Sequence, residues 1–352
     1  MTRATLLALT FAAAAAWCAP RARPRAARAA PLRAAAAMTD RQRRFWSEID
    51  ALLRGFEAER GAPAVARVRR WSEYASRARP LPPEATQGDP ACPDYHQPCE
   101  EYIDGLSARP WWEASEFDWA APLCAASGAI AAELDAALGA GGGAGGPELV
   151  GDSVYQSSMM GSGWSAMRLQ RLGVWNEEMC AAFPRTAGIL RGLEPPVPFA
   201  ARGVMFARQA AGTGVAPHSD ARNFVLTAHL ALRVPDPDAP GADCWIRVGR
   251  ERRRWTPGEL LVFDTSFEHE TANENAAGDA RDVLIVDVWH PELSRDERDA
   301  LAAVYALRNR FDAGFYDAPA PAPAAGAALA EGALGLFRKG LAEAQAALGI
   351  RP

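Results

Sequence analysis

The stretch PHSDARNFVLTAHL, residues 217–230, decides how this chain folds. Its second half, continued through Leu232, is a run of β-branched and apolar residues that reads as a buried strand. Its first half carries His218 and Asp220 two residues apart, and on extended backbone that spacing turns both side chains to one side. His269 follows fifty-one residues later, and Arg281 twelve beyond that. Two imidazoles and one carboxylate are the ligand set of a non-haem iron(II) site. They hold one face of the ion and leave the others open to co-substrate and dioxygen. Alone, His-x-Asp occurs by chance in many chains. Here the third ligand must come from a distant strand, which is what a rolled-up sheet supplies.

More strands follow at short intervals. Pro235, Pro237, Pro240 and Gly241 break the first, and Cys244 to Val248 (CWIRV) is a second. Trp255-Thr-Pro-Gly258 is a turn in which Pro257 sets φ and Gly258 is free to take a positive one. Glu259 to Phe263 (ELLVF) runs into Asp264-Thr-Ser-Phe-Glu-His269, and Val283 to Val288 (VLIVDV) is another buried strand, ended by Trp289-His290-Pro291. The expected fold is mainly β: a double-stranded β-helix, a cupin-like jelly roll, with supporting α-helices and the ligands at strand ends facing its mouth.

Four segments, GWSAMRLQRLGVWNEEMCAAFPRTAGIL (163–190), PHSDARNFVLTAHL (217–230), FDTSFEHE (263–270) and RDVLIVDVWHPEL (281–293), resemble the aspartyl/asparaginyl β-hydroxylase family. The likeness extends upstream through GLSARPWW (105–112) and FDW (117–119), so it covers roughly residues 100 to 300 in preserved order. It implies an oxygenase that uses iron(II), 2-oxoglutarate and dioxygen, releasing succinate and CO2 as it hydroxylates an aspartyl or asparaginyl side chain of a peptide or protein. By position, the resemblance makes His218, Asp220 and His269 the metal ligands and pairs Arg281 with the distal carboxylate of 2-oxoglutarate. That role suits a guanidinium fork, which reads a carboxylate through two charge-assisted bonds. The resemblance also sets His229 near the co-substrate and Trp164 at a substrate mouth. The C–H step requires no general base, so no catalytic residue is expected beyond the metal centre.

Some positions depart from the family pattern. Thr227, a candidate substrate-binding position, lies where animal members carry an arginine. Ala207 falls where they carry a serine that helps hold 2-oxoglutarate, and Ala187 where they carry a cysteine able to pair with the one matching Cys180. The first two changes weaken the case for an aspartate target and keep open the same chemistry on a lipid acyl chain or small metabolite. A non-catalytic metal-binding jelly roll is the remaining alternative.

Plainer readings stand beside these. His218, Asp220 and His269 also fit a surface loop plus an unrelated histidine, and Arg281 also suits a strand-edge pair with Asp279 or Asp282. His229 reads equally as a hydrogen-bonded core histidine. His290 reads as structural, and Glu268 and Glu270 as neighbours of the metal ligand or simply solvated. Trp164 also fits as packing under the site. The run RERRR (250–254) reads as a basic hairpin tip.

The chain has 352 residues, 49% of them hydrophobic, ample for one large core with appendages. Net charge is −5, but residues 1–39 hold six arginines and no acid, leaving 32 basic against 43 acidic groups in the rest. That balance argues against nucleic acid as a partner and leaves a peptide, protein or small molecule. The first 39 residues read as a targeting leader. Arg3 precedes an apolar stretch from Leu6 to Ala16, the outline of a signal peptide, and residues 21–37, almost entirely alanine, arginine and proline, resemble a transit peptide. A plastid is the favoured destination, with the endoplasmic reticulum or a mitochondrion as alternatives. No stable membrane span is expected after leader removal. The sequence leaves the oligomeric state open.

Residues 40–99 form a helical segment and linker, in which Thr39 to Arg79 carries an apolar stripe. Cys92 and Cys99 close a disulfide loop or stay as thiols; with His96 they are one ligand short of a zinc site. The oxygenase domain spans 100–316, with helices expected over Ala121–Leu138 and Met167–Cys180 and a glycine loop over Gly139–Gly146. A Pro/Ala linker and an amphipathic helix fill 317–352.

Overall fold

In the computed structural model, residues 38–87, 99–140, 163–236, 243–275, 278–312 and 314 are described. Most of the leader, Cys92 and His96, most of the glycine loop and the Pro/Ala tail with its helix lie outside them. The chain divides into two compact units, Met1–Arg43 and Arg44–Pro352.

Eleven strands lie among the described residues: β1 (Trp111–Trp112), β2 (Trp164–Arg171), β3 (Val174–Trp175), β4 (Phe199–Gln209), β5 (Thr213–His218), β6 (Val225–Arg233), β7 (Cys244–Val248), β8 (Glu251–Arg254), β9 (Leu260–Asp264), β10 (His269–Asn273) and β11 (Arg281–Trp289). They make a seven-stranded sheet, β1-β9-β6-β11-β4-β2-β3, and a four-stranded one, β5-β10-β7-β8. Every named pairing is antiparallel. From β4 to β11 the chain passes repeatedly between the sheets, giving β9-β6-β11-β4 against β5-β10-β7-β8. This is the strand order of the jelly roll expected from sequence.

Side-chain alternation explains why both faces of the larger sheet are buried. On β6, Leu226, Ala228, Leu230 and Leu232 join one core under the helices, and on β11 Leu284, Val286 and Val288 do the same. The alternate residues, Ala231, Val283 and Ile285, join the core between the sheets with Val215, Ile246 and Val248. A third core gathers α1 (Asp40–Arg60), α2 (Ala66–Ala75) and helix α8 (Arg295–Asp312) around Phe224 and Trp289.

The helices between these are α3 (Pro83–Gln87), α4 (Ala120–Ala125), α5 (Ser127–Ala140), α6 (Glu177–Ala182) and α7 (Pro184–Gly192). The expected helix over Thr39–Arg79 is split at Gly61, whose φ of 90° and neighbouring Pro63 interrupt it. That over Ala121–Leu138 breaks at Ala126 into α4 and α5.

The expected helix over Met167–Cys180 is a correction. Residues 164–171 pair with β4, and Leu172 and Gly173, both at positive φ, turn the chain into β3. Helix begins only after Asn176, whose side chain accepts from Met179 N at 3.1 Å. Strand pairing outweighs the modest helix propensity of this stretch. The RERRR segment is the β7–β8 hairpin, where Arg253 pairs with Glu251 and Glu113 and Arg254 with Asp243.

Candidate metal and co-substrate site

β5 and β10 pair so that His218 lies directly opposite His269. Their ring centroids are 4.2 Å apart. Each ring is oriented by the chain two residues before it: His218 Nδ1 lies 2.8 Å from Ala216 O, and His269 Nδ1 2.9 Å from Phe267 O. Both carbonyls require a proton on Nδ1, which leaves Nε2 as the donor nitrogen of each ring. Asp220 completes the set from the β5–β6 loop, with the three ligand atoms all within 4.8 Å of one another. Its backbone is tied to the β9–β10 turn, since Asp220 N donates to Thr265 O at 2.9 Å and Ser219 Oγ to Ser266 O at 2.8 Å. This two-histidine, one-carboxylate donor set fits iron(II).

Arg281 starts β11 and faces the inter-sheet space, 2% exposed. Burial lowers its pKa to about 10, so it stays charged at neutral pH. Its guanidinium lies 4.3 Å from the Trp255 ring, and Nε and Nη1 have no partner among the described residues. A buried cation with open N–H donors fits a carboxylate, as 2-oxoglutarate would provide. Of the two strand-edge partners considered, Asp282 pairs with Arg208 and Arg233.

His229 is stacked near Trp255 and edge-on to Phe263. Burial first, then the charges of Arg281 and His269, hold its pKa well below the usual value. Its Nδ1 also has no partner, so the hydrogen-bonded core histidine is not what is found. Arg281 and His229, with vacant polar atoms, and the three ligands make up the region suited to iron and co-substrate.

Of the substrate candidates, Thr227 stands two places before His229 on β6, opposite Phe263. Thr227 pairs in register with Asp287, and its Oγ1 donates to Asp287 Oδ1 at 2.6 Å. Trp164 lies opposite Gln209, which lies opposite Arg281, and packs in the inter-sheet core. That row sets it at the arginine end of the inter-sheet space. Ala207 lines the same core, while Ala187 and the free thiol Cys180 sit in the core beneath the helices. His290 is structural, joined to Ser107 O and Glu292 N. Glu268 and Glu270 both pair with Arg247.

The sequence reading missed Trp255 and Asp264. The tryptophan's only local signal is its place before the Thr-Pro-Gly turn. Asp264 lies inside FDTSFEHE; burial raises its pKa to about 7, against a bond from Ser266 N at 2.8 Å.

A family model for aspartyl/asparaginyl β-hydroxylase matches residues 126–291, which include all three ligands, His229 and Arg281. The human aspartyl/asparaginyl β-hydroxylase is 32% identical over 203 residues, 57% of this chain and 25% of that protein. Over residues 126–291 the chain is similar to the aspartyl/asparaginyl β-hydroxylase family. The mouse β-hydroxylase is 31% identical over 202 residues, 57% of this chain and 26% of that protein. Human aspartate β-hydroxylase domain-containing protein 2 is 32% identical over 145 residues, 41% and 38% of the two chains. The matched region is thus about a quarter of the length of the two β-hydroxylases. Among solved structures, a Pseudomonas putida prolyl-4-hydroxylase aligns with a TM-score of 0.28 at 15% identity, over 53% of this chain and 91% of that one, too slight a likeness to bear on the argument.

Proposed function

We propose that this chain is an iron(II)- and 2-oxoglutarate-dependent dioxygenase that hydroxylates an aspartyl or asparaginyl side chain of a peptide or protein. One observation carries the reading: three ligand atoms within 4.8 Å of one another share the inter-sheet space with a buried guanidinium that has vacant N–H donors. Iron(II), 2-oxoglutarate and dioxygen, when bound, would supply the oxidising chemistry, one oxygen atom entering the target C–H as hydroxyl and the other entering the co-substrate as it becomes succinate and CO2. His218, Asp220 and His269 hold the ion on one side. Arg281 would fix the distal carboxylate, Trp255 covers the guanidinium without using its donors, and neutral His229 lines the space beside Trp255 and Phe263. The apolar inter-sheet core excludes water around this charge, which strengthens its hold on an anion.

The test is succinate release from 2-oxoglutarate with iron(II) and ascorbate, comparing the protein with His269→Ala. Release is expected only from the unaltered chain; equal turnover in both would overturn the proposal. Thr227 favours a second reading on the target alone. Its hydroxyl is engaged by Asp287, where animal relatives have a cation suited to a substrate carboxylate, so a lipid or metabolite C–H is the alternative. Mass spectrometry for one added oxygen in peptide, lipid and metabolite pools separates the two. The leader adds an organelle, a plastid first, as the proposed destination.

A further inference from the structure

The loop that carries Asp220 is held from a side that takes no part in ligation. Ala221, next to the ligand, has φ 56°, a left-handed conformation that a non-glycine residue keeps only when its surroundings impose it. Asp220 N and Ser219 Oγ anchor one side of the loop to the β9–β10 turn. On the other side, Ala221 O accepts from Glu101 N at 3.0 Å, and Glu101 forms a parallel bridge with Arg222. Asn223 continues the seam: its Oδ1 accepts from Ile103 N and its Nδ2 donates to Ile103 O, both at 2.9 Å.

The Glu101 carboxylate is 18% exposed and stands between two cations. Arg308 Nη1 lies 3.0 Å from its Oε1, and Arg222 Nη2 lies 3.6 Å from the same oxygen. Tyr305 OH donates to Oε2 at 3.4 Å and accepts from Arg222 Nη1 at 3.1 Å. Burial works to raise the Glu101 pKa; Arg222 and Arg308 overcome it and keep the carboxyl below its usual range. Tyr305 and Arg308 belong to α8, so the cluster joins that helix to Arg222, two places after the candidate ligand Asp220.

We infer that Glu101 is a positioning residue for the metal site: by clamping Ala221 and Arg222 between itself and α8, it holds the Asp220 carboxylate in reach of the two imidazoles. The inference rests on the metal site proposed above. Without the Glu101 charge, the guanidiniums of Arg222 and Arg308 are left beside each other with no anion between them, and the contact that ties Arg222 and its loop to α8 is lost. Residues that orient ligands in this way change metal affinity by roughly tenfold or more when altered.

The test is calorimetric titration of the apo-protein with Mn(II), alongside thermal unfolding of the same samples. Glu101→Gln is expected to weaken Mn(II) binding about tenfold. Glu101→Asp, which keeps the charge, should recover much of it. Glu297→Gln is the control: Glu297 sits on the same helix and pairs with Arg67, far along the chain from the 218–224 loop, so it should lower the unfolding temperature and leave Mn(II) affinity unchanged. Unchanged affinity in Glu101→Gln overturns the inference, as does an equal loss in Glu297→Gln. If Glu101→Gln does not fold, Arg308→Gln takes its place, with about threefold weaker binding supporting the clamp and no change overturning it. Failure of the unaltered protein to bind Mn(II) would instead refute the metal site itself.

Discussion

At position 229, burial first and then the charges of Arg281 and His269 favour a neutral imidazole. Neutrality has a consequence for stability. The folded-state pKa of His229 is depressed, chiefly by burial, so below about pH 6.5 the unfolded chain binds a proton that the folded chain does not. Stability is therefore complete above that value and falls as pH drops through it, by up to about 1.4 kcal/mol per pH unit from this group. In denaturant unfolding of the apo-protein between pH 7 and 5, His229→Gln should show a shallower loss of stability than the unaltered chain; parallel curves would refute the assignment. The candidate ligands were legible in sequence through the donor chemistry of the three side chains and the local spacing of His218 and Asp220. Trp255 and Glu101 were not, since each acts on a residue it meets only after the sheets close: Arg281 in one case, Ala221 in the other.

Among the elements, β2 shows what period and propensity leave undetermined. Its Ala166, Met167 and Leu169 serve either structure, whereas the decisive facts lie on β4. Gly203 there has φ 113°, and a Cβ built on it would fall 2.0 Å from Gln170 O, beside the β2 bulge between Arg168 and Gln170. The close approach and the backbone conformation both demand glycine. Gly203→Ala should therefore destabilise the protein by about 3 kcal/mol or more, measured by urea unfolding. A loss below about 0.5 kcal/mol would mean that the β2–β4 seam gives way easily. The strands β6, β7, β9 and β11 were legible because their apolar runs end at proline, glycine or the ligand motifs. The splits at Gly61 and Ala126 fall inside stripes that stay apolar through the break.

Across the whole molecule, the site joins parts that no single element links. His218 and Asp220 come from the β5–β6 junction and His269 from β10, while α8 reaches the Asp220 loop through Glu101. A bound ion therefore closes a connection between distant segments and binds the folded chain in preference to the unfolded one. By linkage, Mn(II) at a hundredfold over its dissociation constant should add about 2.7 kcal/mol to stability. For a domain of this size, that raises the unfolding temperature by roughly 5–10 °C. 2-Oxoglutarate should add a further rise only after the metal, because its carboxylate and oxo oxygens need the ion while Arg281 holds the opposite end. Chelation should reverse both increments, His269→Ala should abolish both, and Arg281→Met should keep the first and lose the second. A rise with 2-oxoglutarate in the absence of metal, equal to that in its presence, would place the co-substrate somewhere other than between Arg281 and the three ligands.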